Sequence, residues 1–266
     1  MKKGTELFSL SGKTALITGA TGHFGTSMAF ILAEAGAKVL INSRTAERSD
    51  VLVAKLKTVG HAAESAVFDV TSAAEVAAFA VRLQGSPLHV LVNNAYVGGS
   101  GNVECAESGA YAASYDVTMV AAHRLLKAML PNLRLATQQC GDASVINLAS
   151  MYAVVSPDQR IYESASAVNP PFYGAAKAAL LQWTRYAACE FGKEGIRVNA
   201  ISPGPFPSLA VQTANPSFIE KLAAKVPMGR IGETDEIKGP MLFLASSAAS
   251  FVNGANIVVD GGWTCW

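Results

Sequence analysis

Tyr173 and Lys177, in the segment Tyr173-Gly174-Ala175-Ala176-Lys177, are the side chains of this sequence best placed to do chemistry together. Four residues apart on a helix, they sit about one turn from each other on the same face. A free tyrosine, with a pKa of about 10, holds its proton too tightly to trade it near neutral pH. A neighbouring ammonium favours the phenolate and lowers that value, which suits the pair to general acid–base work. Such pairs also occur on solvated helix faces, so the reading depends on what the rest of the chain builds around them.

The run Thr18-Gly19-Ala20-Thr21-Gly22-His23-Phe24-Gly25 is a second group with chemical content. One glycine permits a tight turn, another lets backbone approach a pyrophosphate, and the last allows close helix–strand packing. A helix N-terminus then faces the anion. An apolar run precedes this turn and a helical pattern follows it, the context a dinucleotide site needs. The second apolar run ends in Asn42-Ser43-Arg44, with no acid to accept from both ribose hydroxyls. Arg44 can pair with a 2′-phosphate and stack on adenine, and Ser43 can donate to that phosphate. NADP(H) is therefore expected over NAD(H), which stays open.

These groups need elements to position them. Short apolar runs at Thr14–Thr18, Val39–Ile41, near Ala66–Phe68, Leu88–Val92, Ser144–Leu148, Ile196–Ala200 and Asn256–Val259 read as strands. Helical patterns separate them: Met28, Ile31, Leu32 and Ala35 before Gly36, a helix near Ala46–Val59, and one near Ala73–Leu83. A long Ala-rich helix is expected to end before Pro131, and another begins near Phe172. The expected fold is α/β: a Rossmann-like, doubly wound parallel sheet of about seven strands with helices on both faces, in one domain over 1–266. Two Pro-rich segments, near 151–172 and 203–226, lie at strand ends, where ligands bind in such sheets.

Half of the residues are hydrophobic, 15% are charged and the net charge is +1. No basic excess suggests nucleic acid or a membrane surface, no apolar run reaches the ~18 residues of a membrane helix, and no secretory leader is recognisable. Cys105, Cys140, Cys189 and Cys265 form no metal-ligand spacing; reduced, mostly buried thiols in a cytoplasmic protein are expected, with no metal.

Taken together, these segments resemble the short-chain dehydrogenase/reductase family over nearly the whole chain. The likeness runs through the Gly-rich turn, Asp69-Val70, Asn93-Asn94-Ala95, Ser150, Tyr173 with Lys177, Pro203-Gly204, Pro227-Met-Gly-Arg230, Phe243-Leu-Ala-Ser246 and Val259-Asp-Gly-Gly262. By that resemblance Gly19, Thr21, Gly22, His23, Phe24 and Gly25 would hold the cofactor phosphates. Asp69 and Val70 would bind adenine, while Asn93 and Ala95 would support the cofactor. Pro203, Gly204, Phe206 and Ser208 would lie near nicotinamide or the phosphates. Lys177 would hold the nicotinamide ribose and lower the Tyr173 pKa. Tyr173 would be the general acid or base, and Ser150 would bind the substrate oxygen. The implied reaction is hydride transfer between NADPH and a carbonyl/alcohol pair in a homodimer or homotetramer.

The chain departs from the family pattern at four places. The short members carry Gly where His23 stands, which leaves His23 either to touch the phosphates or to cover the turn. Tyr96 replaces the glycine after Asn93-Asn94-Ala95. Thr118 replaces the asparagine that helps hold a relay water. The stretch between Ser150 and Tyr173 is longer than usual and carries Tyr152, Arg160, Tyr162 and Glu163. That stretch resembles a subgroup associated with surface-glycan or flagellin-modification sugars, which points to a sugar-like substrate. Reduction of a 3-oxoacyl thioester, an epimerase or dehydratase reaction, and a non-catalytic dinucleotide sensor are the alternatives.

Overall fold

The computed structural model describes residues 3–266. Seven strands form: β1 (Thr14–Ile17), β2 (Lys38–Ser43), β3 (Ala63–Val67), β4 (Val90–Asn93), β5 (Ala143–Leu148), β6 (Ile196–Pro203) and β7 (Asn256–Val259). They make one sheet in the order β3-β2-β1-β4-β5-β6-β7, with every neighbouring pair parallel. Parallel neighbours require crossovers over the faces of the sheet, and helices provide them. In chain order these are α1 (Gly4–Leu7), α2 (His23–Glu34), α3 (Ala46–Thr58), α4 (Ala73–Arg82), α5 (Ser108–Tyr115), α6 (Ala121–Cys140), α7 (Pro171–Phe191), α8 (Leu209–Ala214), α9 (Pro216–Lys225) and α10 (Lys238–Ala245).

Alternate strand residues feed opposite cores, as a side-chain period of two demands. Ile17, Ile41 and Ile146 pack with Met28 and Leu32 of α2, Leu56 of α3, and Met241 and Leu244 of α10. Leu16, Leu91, Val145 and Val198 pack on the other face with Phe79 of α4, Leu125, Met129 and Leu133 of α6, and Phe191 of α7. The chain winds outward from β1 to β3, then returns to place β4 on the other side of β1. The strand order reverses there, which opens a crevice at the carboxyl ends of β1 and β4.

Several expectations change. The helix expected to stop before Pro131 runs on to Cys140. Pro131 and Lys127, whose carbonyl loses its partner, both sit on the exposed side, while Met129, Asn132, Leu133 and Ala136 are buried around them. Core burial carries the helix through the break, and the freed carbonyl belongs to a residue on the exposed side. The third strand starts three residues early, at Ala63; as an edge strand paired only to β2, it tolerates Glu64 and Ser65. The Pro-rich segment after β6 carries two helices, α8 and α9. The thiols expected to be buried are all exposed and free. Among the described residues no helix is long and apolar enough to cross a membrane.

Pro131→Ala restores the missing N–H to the Lys127 carbonyl on an exposed helix face. It is expected to stabilise the protein by about 1–3 kcal/mol, read as a raised urea midpoint. A lowered midpoint would show that α6 needs the proline's geometry.

Candidate functional site

Beyond β1 the chain turns sharply before entering α2. Gly19 has φ +59°, in the left-handed region. A Cβ on Gly25 would lie 2.4 Å from the Gly19 carbonyl oxygen, so α2 can approach the turn only with glycine there. The Gly19 N–H donates to Asn42 Oδ1 at 3.2 Å, and Asn94 Nδ2 donates to the Thr18 and Gly19 carbonyls at 2.9 and 3.0 Å. Asn42 Nδ2 also donates to the Ala66 and Phe68 carbonyls at 2.8 and 3.0 Å, so one buried amide joins the ends of three strands. His23 Nε2 lies 2.9 Å from the Phe206 carbonyl oxygen, and the Phe24 and Phe206 rings meet edge-on at 5.2 Å. His23 thus braces the turn against the loop after β6.

A cavity of about 980 Å³ lies along the carboxyl ends of the strands. It is bordered by Gly19, Thr21, Gly22, His23, Phe24, Ser43, Arg44, Asp69, Val70, Ala95, Ser150, Tyr173, Lys177, Pro203, Gly204 and Phe206. Three expected residues stand behind it: Gly25 under the turn, and Asn93 and Thr118 behind Lys177. Ser208 does not border it; its hydroxyl accepts from the Val211 N–H at 3.4 Å and caps α8. Ser43 was expected to donate into the site, but its hydroxyl proton goes to the Thr45 carbonyl, which leaves only lone pairs to offer. Bonds from the Thr71 hydroxyl and N–H, at 2.6 and 2.8 Å, hold the Asp69 carboxyl below the usual carboxylate range. Arg48, in the first turn of α3, also borders the cavity. It went unread in the sequence, although it follows Arg44 at helical spacing.

Ser150, just past β5, accepts from the Tyr152 N–H at 3.1 Å and so caps a short turn over Met151–Ala153. It borders the same cavity as Tyr173. Lys177 is 3% exposed, and its Nζ donates to the Leu148 carbonyl at 2.5 Å. That Nζ lies 5.7 Å from the Tyr173 ring centroid. Burial lowers the Lys177 pKa to about 8. Burial pushes the Tyr173 phenol up, with the Ser150 hydroxyl pulling partly back. The expected lowering of Tyr173 by Lys177 is therefore absent here: the lysine loses its proton first, and no ammonium remains when the phenol ionises. Thr118 lies in a π-helical turn, Asp116–Val120, inserted between α5 and α6. Such insertions frequently mark functional sites. Thr118, Asn93 and Lys177 border a second cavity of about 10 Å³, about the size of one water.

The family model described as Enoyl-(Acyl carrier protein) reductase matches residues 19–264. The chain is 33% identical to galactitol 2-dehydrogenase of Rhizobium johnstonii, over 98% of each chain. It is 32% identical to the rhamnolipids biosynthesis 3-oxoacyl-[acyl-carrier-protein] reductase of Pseudomonas aeruginosa, over 96% of this chain and 98% of that one. A crystal structure of a gluconate 5-dehydrogenase from Burkholderia cenocepacia, in complex with NADP and tartrate, superposes with a TM-score of 0.87 at 30% identity. That match covers 99% of this chain and 100% of the other.

The chain belongs to the short-chain dehydrogenase/reductase family.

In this short-chain dehydrogenase/reductase a wall of further tyrosines stands beyond Tyr173. The Tyr96 ring stands edge-on to Tyr173 at 6.3 Å. The Tyr152 and Tyr162 hydroxyls lie 3.1 Å apart, and burial pushes both phenols up, so both stay neutral. Ile161 packs in one cluster with Leu222, Val226 and Trp263, and the Tyr162 ring meets Phe218 at 5.4 Å. Asp158 accepts from Arg160 of its own segment at 2.9 Å, and it joins the two Pro-rich segments by accepting from Lys225 at 2.5 Å.

Lys177→Met tests the burial directly. The folded pKa of about 8 lies below the ordinary 10.5, so folding opposes the proton that the unfolded chain carries. Removing that opposition is expected to stabilise the variant by up to about 3 kcal/mol at pH 7. Parental stability should also rise relative to the variant between about pH 8 and 10.5, where only the unfolded lysine stays charged. Urea unfolding at pH 7 and 9.5 measures both effects, and a destabilised variant at pH 7 contradicts the reading.

Proposed function

We propose that this chain is an NADP(H)-dependent oxidoreductase that moves a hydride between nicotinamide and a carbonyl/secondary-alcohol carbon of a small, sugar-like substrate. The observation that carries the reading is one cavity bordered by Ser150, Tyr173 and Lys177 as well as by the Gly-rich turn and Arg44. The turn suits a pyrophosphate, because the close approach at Gly25 leaves backbone and a helix N-terminus facing the cavity. Arg44 and Arg48 border the cavity beyond an acid-free β2 end and suit a 2′-phosphate. The NADP complex of the Burkholderia relative supports the same choice. Bound there, the nicotinamide would give or take the hydride.

This chain's residues then divide the remaining work. Thr21, Gly22, His23 and Phe24 hold the phosphates, Asp69 and Val70 take the adenine, and Pro203, Gly204 and Phe206 wall the nicotinamide side. Asn93 and Ala95 support the floor. Ser208 leaves the set, because its hydroxyl is engaged in capping α8. Tyr173, held as the neutral phenol, donates its proton to the carbonyl oxygen in reduction. Ser150 bonds the same oxygen and stabilises the charge that develops on it. Lys177 returns a proton toward Tyr173, and Thr118 stands behind it in the missing asparagine's place. We extend the reading to a homodimer or homotetramer built on the exposed side of α7, where Tyr186 is 68% exposed. Four exposed free thiols suit a reducing, cytoplasmic setting. Reduction of a 3-oxoacyl thioester is the second reading, favoured by the Pseudomonas relative.

Arg44→Ala should lower kcat/KM with NADPH at least tenfold while changing that with NADH less than about threefold. A parent enzyme that prefers NADH would overturn the role of Arg44. Tyr173→Phe should lose about a hundredfold or more in turnover yet keep NADPH affinity within about threefold, read by nicotinamide fluorescence. Undiminished turnover in that variant would remove Tyr173 from the chemistry.

A further inference from the structure

Asn169, four residues before Tyr173, has no part in the chemistry above. Its backbone is fixed on both sides. The Val168 carbonyl accepts from the Gly101 N–H at 2.8 Å, and Pro170 restricts residue 169 to extended conformations. The side chain is in the opposite condition: Oδ1 is buried and has no hydrogen-bond partner. Asn169 borders the large cavity together with Ser150, Pro170 and Tyr173, and it also borders an adjoining groove of about 460 Å³ over Ala175 and Ala178.

A buried amide oxygen without a donor costs about 1–3 kcal/mol, and native proteins rarely keep one without a reason. The neighbouring Tyr152 and Tyr162 hydroxyls already bond each other. Asn169 therefore keeps an unspent acceptor at the border of the cavity, four residues before Tyr173. The terminal torsion of an asparagine is soft, so the amide can turn toward whatever occupies the cavity. A hydroxyl on the substrate can both donate to Oδ1 and accept from Nδ2. A 3-oxoacyl thioester offers only carbonyl oxygens near its reacting carbon, and these leave Oδ1 unpaired.

We propose that Asn169 is a specificity-determining residue whose side-chain amide bonds a substrate hydroxyl close to the reacting carbon. The substrate class is accordingly a polyol or hydroxy-ketone. This inference rests on the hydride-transfer reading and selects within it.

The test compares the parent with Asn169→Leu, which keeps the size and removes the polar atoms. Galactitol and gluconate serve as hydroxylated probes at saturating NADP⁺, cyclohexanol as a secondary alcohol with no second hydroxyl, and acetoacetyl thioester with NADPH as the acyl probe. The expected result is a 10–100-fold loss in kcat/KM for the better hydroxylated probe, mostly in KM, and less than a threefold change for cyclohexanol. The variant's Tm should be unchanged or higher, because an unpaired buried group has been removed. Calorimetric titration of the same probe into Tyr173→Phe, with and without Asn169→Leu, should show at least a tenfold loss of affinity. Equal losses for galactitol and cyclohexanol, a parent that prefers cyclohexanol or the thioester, or a Tm lower by several degrees would each overturn the proposal. A parent with no turnover on any probe with either cofactor would instead remove the hydride-transfer reading, and the inference with it.

Discussion

The Lys177 ammonium lies out of water at the end of β5, with the Leu148 carbonyl to hold it. That burial requires α7 to stay locked to the sheet, and the locking is visible. Ala176, Leu180, Leu181 and Thr184 are buried along the same side of the helix. Thr184 Oγ1 donates to the Leu180 carbonyl at 2.7 Å and accepts from Asn147 Nδ2 at 2.8 Å. Asn147 Oδ1 in turn accepts from Asn93 Nδ2 at 2.8 Å. A chain of buried polar groups thus joins α7, β5 and β4. It fixes the register of the helix, and Tyr173, one turn earlier, is positioned against Ser150 as a consequence.

The other half of the site is organised in the same manner, by asparagine amides rather than by charge. Asn42 and Asn94 fasten the Gly-rich turn from either side, each bonding backbone that would otherwise be unpaired at strand ends. The turn needs this support because its glycines supply no packing of their own. Across the cavity, His23 and Phe24 couple the turn to Phe206, so the turn and the loop after β6 form one unit. The wall beyond Tyr173 is joined separately, through Asp158 and the aromatic contact of Tyr162 with Phe218. The reacting groups stand between two braced halves.

Local features of this arrangement were legible in the sequence. The Gly-rich turn, the acid-free end of β2 and the Tyr173–Lys177 spacing each depend on a few adjacent residues, and the parallel order follows from alternating apolar runs and helices. What was not legible depends on contacts between distant residues. His23 and Phe206 are 183 positions apart, and nothing in either segment announces the bond. Pro131 breaks a helix by local rules, yet burial on both sides of it decides otherwise. The π-helical turn at Thr118 is set by how α5 and α6 pack, which periodicity does not encode. Ser208 looked like a cofactor contact because of its place after Pro203-Gly204, whereas its hydroxyl is engaged in capping α8. The direction of the Tyr173 shift was also misjudged, because spacing shows a neighbouring ammonium but not the desolvation of both groups.

That desolvation is the central claim: burial, more than the attraction of a neighbouring charge, sets the protonation of the Tyr173–Lys177 pair. It is tested most directly by titrating the cofactor-free protein labelled with ¹³C at the tyrosine ζ carbon, with Tyr173→Phe to assign the resonance. The account predicts that Tyr173 remains a phenol past the ordinary tyrosine value of about 10. Ionisation of that resonance near pH 7–8, while Lys177 is still charged, would contradict it.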